Sequence, residues 1–180
     1  MSTAPGELEL VRAFLNTTEI GSGSDEFGSP TELVAWLSER SLLESRASAS
    51  AQDLERSREL REALRALCLA NSAGELDLAA PPVLDAAAER AGLRLRFGAN
   101  GDAKMASSAE GVDGAHGRLL AIVAESMRAG TWERLKACRC DKCRWAFFDV
   151  SKNHSRVWCS MEICGNRAKA QSFRERHAGA

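Results

Sequence analysis

Two cysteine clusters constrain this chain more than any other feature. The first reads Cys138-Arg-Cys140-Asp-Lys-Cys143, and the second reads Cys159-Ser-Met-Glu-Ile-Cys164. Fifteen residues separate them, and together they hold five of the six cysteines of the 180-residue chain. Paired thiolates at such spacing suit one tetrahedral zinc ion, with two ligands from each cluster. A four-thiolate site leaves no position for substrate, so it is structural. Two pairings compete for the first cluster. Cys138 with Cys143 mirrors the four-residue gap of Cys159 with Cys164, and that symmetric set is our reading. Cys140 with Cys143 offers the shorter knuckle spacing instead. The sequence shows no secretory leader and is expected to be cytoplasmic, where disulfides are rare. A redox Cys-x-x-Cys pair normally opens a helix, whereas Cys140 to Cys143 lies between strand-like runs.

Charge divides the chain in two. Residues 136–180 hold ten Lys/Arg against four Asp/Glu, a net of +6, while residues 1–135 carry −7, for a total of −1. Nearby cations offset the formal −2 of a zinc tetrathiolate, but a positive surplus remains. A basic end on an acidic body is the electrostatic mark of a phosphate-binding module. The helix expected after Cys164 carries Arg167, Lys169, Arg174 and Arg176, with Arg167 and Arg174 seven apart on one face. Arg144, Lys152 and Arg156 supply further candidate contacts around the polar loop 151–156.

The rest of the chain reads as mostly helical. Leu8, Val11, Phe14 and Leu15 give a helical stripe within residues 7–18. Ser29-Pro30-Thr31-Glu32 is a helix start, with Glu32 expected to complete a capping box. Ser50 begins a long helix over 51–72, whose stripe is Leu54, Leu60, Leu64, Leu67 and Cys68, with Arg58, Arg61, Glu62 and Arg65 expected in solvent. Pro81-Pro82 opens another helix. Leu93 to Phe97 alternates as a strand, residues 99–102 signal a turn, and 104–108 return. Residues 113–129 form a helix with Leu119, Leu120, Val123 and Met127 inside. Asn16 and Thr17 are expected to cap the first helix, and Trp132 to pack between the two parts. The expected fold class is mainly α with one β-hairpin (α+β), a helical domain over 1–132 followed by a small treble-clef-like finger over 133–180.

The sequence offers no catalytic residues. No Gly-rich phosphate loop, nucleophile elbow or His-Glu-x-x-His word is present. Asn153-His154 beside a finger faintly suggests a metal-dependent nuclease, without a second metal-binding side chain at a convincing position. The longest purely apolar run, Leu119 to Ala124, is far too short to span a membrane.

Several words also carry a resemblance. Cys143-Arg-Trp-Ala-Phe-Phe-Asp149, Ser151-Lys-Asn153, Trp158-Cys-Ser-Met161 and Cys164-Gly-Asn-Arg-Ala-Lys169 resemble the CGNR zinc finger, over about residues 133–177. That resemblance implies zinc ligands at Cys138, Cys143, Cys159 and Cys164, and a DNA partner. Phe14-Leu-Asn-Thr17 and the helix around Leu54–Leu64 resemble the ABATE domain, which commonly precedes such a finger in proteins described as stress-induced transcription regulators. The likeness implies a regulator whose body senses a small-molecule effector or forms a homodimer; no membrane partner is expected, given the short apolar runs. The rival expectation is a zinc-stabilised protein-interaction module.

Overall fold

The computed structural model describes residues 3–44 and 46–177; the side chains of residues 73, 171, 172 and 175–177 lie outside the described set. The body is built from α1 (Leu8–Leu15), α2 (Pro30–Glu39), α3 (Ala51–Ala73), α4 (Ala80–Arg90) and α5 (Gly111–Arg128). Beside them stand three antiparallel strand pairs, where a single hairpin is expected: β1 (Thr18–Glu19) with β2 (Ser24–Asp25), β3 (Arg94–Phe97) with β4 (Ala103–Ala106), and β5 (Leu135–Ala137) with β6 (Ala146–Phe148). A wide π-type turn, Met161–Gly165, leads into α6 (Asn166–His177). The fold class is therefore mainly α with a small β part.

Local chemistry sets the helix ends. Ser50 accepts a hydrogen bond from the Asp53 N–H at 3.1 Å, and Asp53 accepts from the Ser50 N–H at 2.8 Å, a complete capping box. At α2, Ser29 accepts from the Glu32 N–H at 3.3 Å, while the Glu32 carboxylate takes the Ser29 hydroxyl instead of its backbone N–H. Gly74 ends α3 in the left-handed region at φ 86°.

The core of the body forms where α1, α2 and α5 close around α3. Phe14, Phe27 and Trp36 meet with ring centroids 5.6–5.8 Å apart. Val11, Leu15, Leu33, Leu37, Leu60, Leu64 and Leu119 are fully buried around them. Cys68 lies in this core, and burial pushes its thiol pKa up, as befits a packing residue. Met127, expected inside, is 46% exposed, because α5 turns that flank outward near its end.

The expectation that Arg61 and Arg65 lie in solvent is wrong. They are 4% and 5% exposed. Because α3 touches α1, α2, α4, α5 and β5, it is enclosed over a wider arc than a surface helix, and its charges meet partners inside. Arg61 donates two 2.7 Å bonds to Asp25 and one of 3.0 Å to the Thr17 hydroxyl. The Arg61–Asp25 fork pins the β1–β2 loop, which the glycine- and serine-rich sequence suggests is free.

The β5–β6 hairpin is a wall shared by two cores. Side chains alternate across a strand, so successive residues face opposite ways. Leu135, Ala137, Ala146 and Phe148 join the body core, together with Trp132. Phe147 and Cys138 join a second cluster with Cys159 and Cys164, against which Trp145 and Trp158 pack. Side chains from the body also satisfy both edges of this hairpin. Asn16 donates to the Ala146 carbonyl at 2.9 Å and accepts from the Ala146 N–H at 2.8 Å, as a neighbouring strand would. Asn71 donates to the carbonyls of Trp132 (3.0 Å) and Leu135 (2.9 Å), and Ser72 to that of Ala137 (2.8 Å). Arg65 bridges the carbonyls of Leu15 and Arg144. Thr17 does cap α1, donating to the Phe14 carbonyl at 2.9 Å, but the Asn16 side chain reaches across to the hairpin instead.

Candidate metal centre and nucleic-acid interface

Three local structures carry the cysteines. Cys138 follows β5, and Cys143 sits in the turn after it, where the N–H groups of Cys143 and Arg144 both donate to the Cys140 carbonyl. Cys159 closes the loop after β6. Cys164 is held in the π-type turn, and Ser160, which caps the start of that turn, accepts from the Ile163 N–H at 3.3 Å. The sulfurs of Cys138, Cys143, Cys159 and Cys164 all lie within 4.8 Å of one another. Cys140 is outside that group, and its side chain is half-buried at the margin.

The spacing fits a metal ion better than disulfides. The Sγ atoms of Cys143 and Cys159 are 3.6 Å apart, and those of Cys159 and Cys164 are 3.8 Å apart. A tetrahedron with Zn–S arms of about 2.3 Å has edges of about 3.8 Å, whereas a disulfide needs about 2.05 Å. All six cysteines are free thiols. The sulfurs polarise one another strongly. Hydrogen bonds from Cys143 and Cys159 pull the Cys138 thiol far below its ordinary range, and donating to Cys138 pushes Cys159 far above it. Four sulfurs this close, three of them on buried cysteines, cannot all ionise unless a cation compensates them.

A buried ion pair braces the loop beside the cluster. Lys136, 4% exposed, donates to Asp149, 0% exposed, at 2.9 Å, and to the carbonyls of His154 and Arg156. Asp149 also accepts from the N–H groups of Ser151 (2.9 Å) and Arg156 (3.0 Å). Burial works to raise the Asp149 pKa, but these donors hold it far below the usual carboxylate range. The loop 151–156 is therefore tied to the hairpin at both ends.

The expected nucleic-acid contacts fall into two kinds. Lys152, Arg167, Lys169 and Arg174 are exposed. Arg156 and Arg144 are half-buried and already engaged. Arg156 donates to the Cys159 carbonyl at 2.9 Å and lies 5.2 Å from the Phe147 ring centroid. Arg144 pairs with Asp141. The side chain of Arg176 lies outside the described residues. Two exposed cations of the knuckle, Arg139 and Lys142, were not singled out by the sequence, although both flank its cysteines. The backbone at Gly165 comes close to the Met161 side chain: a Cβ at that position would lie 2.3 Å from the Met161 sulfur and 3.5 Å from Trp158.

Elsewhere, Ser57 Oγ lies 2.9 Å from His116 Nε2, but with Asp113 the three do not complete a hydrolytic triad. Ser57 and His116 are 0% and 1% exposed. The Ser57 hydroxyl donates to the Asp53 carbonyl at 2.7 Å, and His116 Nδ1 stands 3.9 Å from the Asp113 carboxylate, beyond hydrogen-bonding reach. The group is a polar brace between α3 and α5.

Fold and site define a helical body joined through a shared hairpin to a four-cysteine finger. The chain belongs to the ABATE family ("Putative stress-induced transcription regulator"), whose model matches residues 8–129, and the CGNR zinc finger model matches residues 134–177. Neither is an enzyme family. No curated protein matches the chain. Among the described residues, no helix is long and apolar enough to cross a membrane.

Proposed function

We propose that this protein is a cytoplasmic DNA-binding transcription regulator. In this reading Cys138, Cys143, Cys159 and Cys164 hold one Zn2+, residues 133–180 form the reading finger, and residues 1–132 form its regulatory body. The zinc has no chemical step to perform. It neutralises four thiolates and fixes the knuckle, the loop and the start of α6 relative to one another. Lys152, Arg167, Lys169 and Arg174 then present their charges outward, and phosphate contacts of this kind supply affinity and register. The observation that carries the reading is this group of exposed cations in the segment that holds the four-sulfur cluster, on a chain whose remaining residues are net acidic. A groove of about 1150 Å³, lined by Leu8, Leu42, Leu95, Met105 and Ile122 with Arg118 at its side, gives a small effector somewhere to bind.

The test is a fluorescence-anisotropy titration of zinc-loaded protein with mixed-sequence duplex DNA over a salt series. Affinity is expected to fall steeply with salt, and Arg167→Ala or Arg174→Ala to weaken it several-fold. Retained zinc with no duplex affinity at low salt would instead favour a protein-interaction module.

A further inference from the structure

Between α4 and α5 the chain forms an isolated two-stranded ribbon. Its register pairs Arg94 with Ala106, Leu95 with Met105, Arg96 with Lys104 and Phe97 with Ala103. Among the described residues no third strand joins it. Residues directly opposed in an antiparallel ladder share a face, and faces alternate along each strand. Arg94, Arg96 and Lys104 therefore occupy one face, and Leu95, Phe97 and Met105 the other. All three cations are exposed.

This face is electrostatically unusual for the body that bears it. Arg12, Arg56, Arg61, Arg65, Arg90 and Arg128 each lie within ion-pair distance of a carboxylate. Among the described residues, no ion pair forms at Arg94, Arg96 or Lys104; Arg94 instead donates to the Ser108 hydroxyl at 2.5 Å. Arg96 stands directly across from Lys104, an arrangement that destabilises a ladder through like-charge repulsion. Residues 1–135 carry a net −7, yet among the described residues no carboxylate pairs with this face. A repelling, exposed cation pair is relieved by an external polyanion.

The dimensions agree. Arg94 and Arg96 are two residues apart on one strand, about 6.6 Å, close to the separation of successive phosphates along a nucleic-acid strand. A two-stranded ribbon fits the DNA major groove, about 12 Å wide. A lipid surface would need apolar side chains pointing the same way as the cations, and here they point the opposite way. Leu95 and Met105 line the groove described above, while Leu95 and Phe97 stay 53% and 73% exposed on the face opposite the cations.

We propose that the β3–β4 ribbon is a second double-stranded DNA contact, with Arg94, Arg96 and Lys104 neutralising phosphates beyond those met by the finger. This rests on reading the protein as DNA-binding, but the ribbon and the finger can be tested separately. Full-length, zinc-loaded protein is titrated with labelled duplex over a salt series as wild type, as Arg94→Gln/Arg96→Gln/Lys104→Gln and as Arg167→Ala. The triple variant is expected to bind at least tenfold more weakly at low salt, with a salt slope shallower by roughly 2 to 3. The single variant Arg96→Gln, which removes the opposed charge pair and so leaves folding intact, is expected to lower the slope by about 1. Wild-type affinity and slope in both ribbon variants, with Arg167→Ala weakened, would overturn the ribbon and leave the finger standing. Weak binding by the triple variant with normal binding by Arg167→Ala would keep the ribbon and remove the finger's role. No duplex affinity in wild type would overturn both. Binding to anionic phosphatidylglycerol vesicles that disappears in the triple variant, with duplex binding unchanged, would assign the face to lipid and overturn the proposal.

Discussion

In the body, Phe14, Phe27 and Trp36 pack against leucines from four helices, and its buried charges are few and well paired. In the finger, the corresponding position is filled by four sulfurs, two half-buried tryptophans and Phe147. About 45 residues cannot bury enough apolar surface to fold firmly alone, so the finger relies on a four-cysteine cluster, a buried Lys136–Asp149 pair and the face of a hairpin whose other face belongs to the body. The difference shows how the finger can be fixed to the body without a large core of its own. The hairpin alternates Leu135 and Ala137 into one core with Lys136 and Cys138 into the other, so a single short ladder couples two dissimilar folding problems.

The largest effect that would sharpen this contrast is expected at the ion pair. Lys136→Met leaves the Asp149 carboxylate buried without its cation and should cost about 3–5 kcal/mol. Hydrogen exchange should show lost protection concentrated in residues 146–160, with α2 and α4 little changed. Replacing both partners together, Lys136→Met with Asp149→Leu, should recover part of the loss. Uniform loss across the body would mean that the two cores are one.

Asn16→Ala addresses the seam from the body side. It leaves the N–H and carbonyl of Ala146 buried without partners, at about 1–3 kcal/mol for each group. Chemical denaturation should register about 3 kcal/mol, and the finger should exchange faster although no finger residue has changed. An effect below about 0.5 kcal/mol would break the proposed coupling.

Acid should distinguish the regions more gently. Burial between α3 and α5 drives the His116 pKa down to about 4, with Asp113 opposing and Arg90 and Arg56 adding to the shift. Its unfolded value is about 6.5. A base whose folded pKa is depressed contributes its full stability above about pH 6.5 and loses it as pH falls toward 4. At pH 5 the loss amounts to about 2 kcal/mol. Urea unfolding of the body at pH 7.5 and 5 should show that decrement in wild type, and His116→Leu should remove it. An unchanged decrement in the variant would place the acid sensitivity elsewhere.

The grouping of the cysteines was legible because matched gaps between paired cysteines mark residues that can converge on one point. The symmetric gaps Cys138–Cys143 and Cys159–Cys164 anticipate the four sulfurs that the structure gathers, with Cys140 set aside. The helices were legible from their stripes and caps, with α3 within one residue of its expected end. What the sequence hid was long-range polar pairing. Nothing near Asn16 in the chain indicates that its amide will meet Ala146, 130 residues away. Arg61 and Arg65 look like solvated helix charges until Asp25 and the carbonyls of Leu15 and Arg144 arrive from elsewhere. Likewise, Arg156 is indistinguishable from a free phosphate ligand in sequence, yet its guanidinium is occupied beneath the Cys159 loop.

The most direct test is metal stoichiometry measured with finger structure on the same sample. Purified protein is analysed for zinc, and hydrogen exchange is followed over residues 138–170 before and after chelation. One zinc per chain is expected, with chelation abolishing protection there while α1 to α5 stay protected. Protein that lacks zinc and still protects that segment would contradict this expectation.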